Sequence, residues 1–69
     1  MKIAVFGATG TIGQRIVNEA LSRGHEVIAI SRDPSRIQKR EHLEARQGEL
    51  RNVASITAAV QGADAVVSS

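Results

Sequence analysis

The sequence predicts an α/β fold, a partial doubly wound parallel sheet with helices packed against it and the strand order 3-2-1-4. Two observations predict it. Short, fully apolar runs recur at residues 3–6, 27–30 and 65–67, and strands without polar alternation belong to sheets covered on both faces. The segments between them switch to a helical period, and alternation of this kind builds parallel sheets through right-handed crossovers. At 69 residues the length accommodates one small module.

Each element has its own local cause. Ile3, Ala4, Val5 and Phe6 follow a lysine and stop at Gly7, which makes the first strand. From Thr11 the period changes. Ile12, Ile16, Val17, Ala20 and Leu21 fall on one helical face, with Gln14, Arg15, Asn18 and Glu19 on the other. Gly24 supplies the left-handed residue that ends a helix, and residues 27–30 form the second strand. Asp33 before Pro34 reads as an N-cap followed by proline at the first helical position, opening a short helix through about residue 40. Topology then places a third strand at 43–47, although Glu44, Ala45 and Arg46 are poor strand formers.

Asn52 caps a third helix over 53–60, with Val53, Ile56, Ala59 and Val60 on its apolar face and Gly62 as its stop. Residues 65–67 complete a fourth strand. The first two helices fall on one face and the third on the other, so one face is thinly covered and the fourth strand is an open edge. Residues 1–69 therefore read as the N-terminal part of a single domain that continues with further strands and helices. The open edge predicts self-association.

Composition excludes several classes of function. One aromatic residue and a net charge of +2 offer neither a stacking platform nor a phosphate-tracking groove for nucleic acid. Without cysteine there is no disulfide framework, thiolate nucleophile or Cys-ligated metal. No apolar run approaches the length of a membrane span, and Met1, Lys2 and Ile3 lead straight into a strand, so the expected partner is no membrane and the expected compartment the cytoplasm. His25 and His42 are isolated, which leaves no metal cluster and no nucleophile–base pair.

The chemistry concentrates between the first strand and the first helix. Gly7, Gly10 and Gly13 stand at the spacing G-x-x-G-x-x-G. Gly7 lets the chain turn out of the strand, Gly10 lets a pyrophosphate approach the backbone, and Gly13 lets the helix pack on the sheet. Free N–H groups around Thr11 and Ile12 then face an anion that the helix dipole favours, and the Thr9 and Thr11 hydroxyls add donors. NAD-binding sheets carry an acid after the second strand for the ribose hydroxyls. Here Ser31 and Arg32 stand in its place, a hydroxyl and a guanidinium suited to a 2′-phosphate, so NADP is favoured and NAD is the alternative. Asp33 reads as a helix cap, with ribose binding as its other role. Arg36 is either a phosphate aid or a solvated side chain.

These residues resemble the atypical short-chain dehydrogenase/reductase superfamily, in its NAD(P)H-binding group of NmrA-like proteins and NADH-flavin reductases. The likeness rests on residues 1–13, on Arg23-Gly24-His25-Glu26-Val27 and on Ser31-Arg32-Asp33-Pro34. It implies a Rossmann-type domain in which the residues after the third strand contact the adenine. Glu49 and Leu50 occupy that place, with Glu49 where the family usually has Asp. It also implies that Ser68 and Ser69 end the fourth strand beside the cofactor. The Tyr-x-x-x-Lys pair of many relatives has no counterpart, since the chain contains no tyrosine. The implied function is the cofactor-binding portion of an NAD(P)H-dependent oxidoreductase acting on a small-molecule acceptor such as a flavin or quinone. The alternatives are a non-catalytic redox sensor of NmrA type and a structural fragment without activity of its own.

Overall fold

The computed structural model describes residues 1–49 and 51–68. In chain order the elements are β1 (Lys2–Phe6), α1 (Thr11–Ser22), β2 (Glu26–Ser31), a 3₁₀ turn (Pro34–Arg36), β3 (Leu43–Gln47), α2 (Val53–Ala59) and β4 (Ala65–Ser68). The four strands are parallel and lie in the order β3-β2-β1-β4. The fold class and the strand order are those the residue pattern predicts.

The register explains how one sheet serves two cores. Ala4 pairs with Ile28 and Phe6 with Ile30, and these side chains pack on one face with Ala59 of α2. The intervening Val5, Val27 and Ala29 point the other way, onto Val17 and Ala20 of α1. Ile28, Ile30, Val5 and Val27 are the largest fully buried side chains, each worth about 1.5–3 kcal/mol of removed apolar surface. Both faces of β1 and β2 are thus covered. The flanking strands are not: β3 and β4 have no fully buried residue, and Val66 of β4 is 53% exposed.

Three local expectations are corrected. The helix expected through residue 40 is a single 3₁₀ turn. Asp33 caps it by accepting from the Ser35 N–H at 3.2 Å, but the turn ends at Ile37, whose extended backbone carries its side chain to the α1-side core. With one apolar residue between 35 and 40, a longer helix would have no stripe to bury. Ile12 and Val53, both expected on apolar faces, are 66% and 79% exposed. Each sits in the first turn of its helix, and the buried positions come later, at Gly13, Val17 and Ala20 in α1 and at Ala59 in α2.

Strand β3 forms in spite of its composition because its residues have long-range partners. All five pair with β2, from Val27–Leu43 to Ser31–Gln47. Arg46 reaches across to donate to the carbonyls of Ala59 (3.2 Å) and Gln61 (2.8 Å), where α2 ends. A guanidinium there satisfies acceptors the helix leaves open and complements its dipole. Arg46 also holds Glu44, and this hydrogen bond keeps the Glu44 carboxyl below its ordinary value of 4.5. At the other end of α2, the Asn52 side chain accepts from the Ser55 N–H at 3.1 Å.

Candidate functional site

In a parallel sheet every strand ends on the same edge, so the loops after β1, β2 and β3 gather there. The loop after β1 is built around its glycines. Gly7 takes a φ of 74°, a left-handed conformation that glycine adopts without strain, and its carbonyl accepts from the Gly10 N–H at 3.1 Å. The Gln14 side chain donates to the Thr9 carbonyl at 3.1 Å and ties the loop to α1. The first bond of α1 runs from the Gln14 N–H to the Gly10 carbonyl (2.9 Å), so the N–H groups of Thr11, Ile12 and Gly13 have no intrahelical acceptor. Gly10, the N-cap, provides no side-chain acceptor, and no acidic residue stands in the first turn. An open donor set at the positive end of a 12-residue helix can hold an anion.

The three glycines are not equivalent. A Cβ on Gly13 would lie 2.0 Å from the Gly7 carbonyl oxygen and 2.8 Å from its carbon, so the fold itself demands glycine there. A Cβ on Gly10 would meet only the Gly7 oxygen, at an ordinary 3.5 Å, and the Gly10 backbone (φ −76°, ψ 167°) suits any residue. Nothing in the packing requires glycine at position 10. A side chain there would fill the space before the open amides, and its absence fits a ligand that approaches the backbone closely.

Beside this loop lies a cleft of about 440 Å³, lined by Phe6, Gly7, Thr9, Ile30, Ser31, Arg32, Asp33, Arg36, Gly48, Glu49 and Arg51. Its walls are fixed by hydrogen bonds. The Ser31 hydroxyl accepts from the Asp33 N–H at 3.2 Å, which leaves its own O–H to donate outward. The Asp33 carboxylate accepts from the Ser35 N–H and hydroxyl through Oδ1, as a cap, while Asp33 also lines the cleft. Glu49 is anchored through its N–H to the Ser55 hydroxyl at 3.0 Å. Gly48 is buried where a Cβ would lie 2.5 Å from Ile30 Cγ2 and 2.9 Å from the Ala59 Cβ.

The fold therefore brings Gly7, Thr9, Ser31, Arg32 and Glu49 to one cleft. Gly10, Thr11, Ile12 and Gly13 stand beside it at the start of α1. Leu50 and Ser69 lie outside the described residues, and Ser68, paired with Phe6, ends β4 next to the loop. Arg36 is a lining residue. Sequence reasoning missed Phe6, Arg51 and the Gln14 tie. The place of Arg51 directly after Gly48-Glu49-Leu50 was a usable signal. His25 and His42 precede β2 and β3, at the opposite edge of the sheet. His25 meets the N-terminal amine at 3.3 Å, and among the described residues no group of His, Asp and Glu could hold a metal.

Comparison with known proteins is consistent with this geometry. Residues 7–69 match the family model described as NAD(P)H-binding. The chain is 34% identical over 65 residues to the 3 beta-hydroxysteroid dehydrogenase/Delta 5→4-isomerase of Mycobacterium tuberculosis, covering 94% of this chain and 18% of that protein. It is 45% identical over 49 residues to the divinyl chlorophyllide a 8-vinyl-reductase of Cucumis sativus, covering 71% of this chain and 12% of that protein. The Escherichia coli serine dehydrogenase structure superposes with a TM-score of 0.77 at 33% identity, covering 90% of this chain and 31% of that one. The chain thus spans less than a fifth of these curated relatives and about a third of the structure. Among the described residues no helix is long and apolar enough to cross a membrane.

Proposed function

The chain belongs to the NAD(P)H-binding family, and from that premise we propose that it is the dinucleotide-binding portion of a reductase that prefers NADP. The observation that carries the reading is the open donor set of Thr11, Ile12 and Gly13 behind a Gly10 that packing does not require. In this reading those amides and the Thr9 and Thr11 hydroxyls hold the pyrophosphate. Ser31 and Arg32 take the 2′-phosphate at the end of β2, and Glu49 borders the adenine. The nicotinamide, when bound, supplies a hydride. The work of this chain's own residues is to bind and orient the dinucleotide. The acceptor we propose is a small molecule such as a flavin or quinone, and the compartment is the cytoplasm, where a nicotinamide dinucleotide pool is available.

Calorimetric titration with NADPH and NADH side by side tests this. The protein is expected to bind both, NADPH more tightly. Arg32→Ala is expected to weaken NADPH about tenfold and NADH less than about twofold, because a charge-assisted bond to the phosphate is lost. Binding of neither dinucleotide removes the reading. An equal loss for both removes the NADP preference.

A further inference from the structure

The arginines divide by what holds them. Arg23 pairs with Glu19 at 2.6 Å, Arg40 donates to Asn18, and Arg46 holds Glu44 and the end of α2. Arg32, Arg36 and Arg51 have no ion pair or side-chain hydrogen bond among the described residues, and all three line the 440 Å³ cleft. They come from separate places in the chain: the end of β2, the 3₁₀ turn and the loop between β3 and α2. Of the two carboxylates in the cleft, that of Asp33 is held by Ser35, and that of Glu49 forms no ion pair with any of the three. Three guanidiniums against two carboxylates leave the cleft with an excess of positive charge, and an entering dianion is attracted by it.

We infer that Arg51 is a specificity-determining residue which, from the β3–α2 loop, completes an anion clamp with Arg32 and Arg36 for the 2′-phosphate of NADPH. The inference rests on the dinucleotide reading above and adds to it a group from the loop between β3 and α2. Of the two nicotinamide dinucleotides, only the 2′-phosphorylated one carries a second anionic group beyond its pyrophosphate. The start of α1 serves NADH and NADPH alike, so discrimination must come from charges elsewhere in the cleft. Arg51 supplies one from an exposed position, with no ion pair or side-chain hydrogen bond to lose among the described residues.

The test compares wild type with Arg51→Ala in calorimetric titrations of NADPH, NADH, adenosine 2′,5′-bisphosphate and AMP. Arg15→Ala, which removes an exposed arginine of α1 with no ion pair or side-chain hydrogen bond among the described residues, controls for bulk charge. Arg51→Ala is expected to weaken NADPH and the bisphosphate about tenfold, the size of one exposed charge-assisted contact, and NADH and AMP less than about twofold. Arg15→Ala is expected to leave all four unchanged. The preference for NADPH is also expected to shrink as salt is raised, and to shrink less in Arg51→Ala. Equal loss for phosphorylated and unphosphorylated ligands, or no loss at all, overturns the role of Arg51 while leaving dinucleotide binding intact. Failure of the wild type to bind any of the four overturns both.

Discussion

Gly10, the N-cap of α1, and Gly13, in its first turn, stand three residues apart, yet a methyl group has opposite consequences at the two positions. At Gly13 it would lie 2.0 Å from a backbone oxygen, and at Gly10 it would meet ordinary contact distance. The same residue type thus answers two demands. One glycine lets α1 pack against the turn that precedes it. The other keeps a space clear that the protein does not itself fill. Structural and ligand-facing glycines at such a helix start are separable by asking what the absent side chain would touch.

The largest expected effect breaks that distinction at its packing end. Gly13→Ala forces α1 away from the Gly7 turn and should destabilise the protein by about 3 kcal/mol or more, read as a lower denaturant midpoint. A midpoint within about 0.5 kcal/mol of wild type would mean that the helix does not need the close approach. Gly10→Val sharpens the other end. Its stability should stay within about 1 kcal/mol of wild type while dinucleotide binding in calorimetry falls by at least about thirtyfold. Unaltered titration would show that nothing approaches that backbone.

The smallest effect lies on the α2 face, remote from the loop, and concerns stability alone. The Arg46 hydrogen bond lowers the Glu44 carboxyl in the folded protein, so its contribution is present above the unfolded value near 4.5 and disappears as pH falls through the lower folded value. The Glu44 side chain is 53% exposed, which limits the pair to about 0–1 kcal/mol. Melting curves of wild type and Glu44→Gln should therefore differ slightly at pH 7 and converge towards pH 3. A constant gap across that range would place the effect of the substitution elsewhere.

Most of the fold and the core of the candidate site were legible in the sequence because their causes are local. An unbroken apolar run, a helical period, an Asn52 cap and a φ of 84° or 88° at Gly24 or Gly62 depend on neighbours a few residues away. The glycine spacing that opens the start of α1 is equally local. What only the tertiary structure decided involves partners far apart in the chain. Strand β3 exists because β2 and the end of α2 receive it, against the preferences of Glu44, Ala45 and Arg46. The second predicted helix shrinks to one turn because Ile37 has a core to reach, and Ile12 and Val53 turn outward because burial begins later in their helices. Arg51 joins Arg32 and Arg36 only once the parallel sheet carries the ends of β2 and β3 to one edge. Periodicity and capping act within a turn or two of chain, whereas the gathering of like charges at a cleft is a property of the assembled sheet.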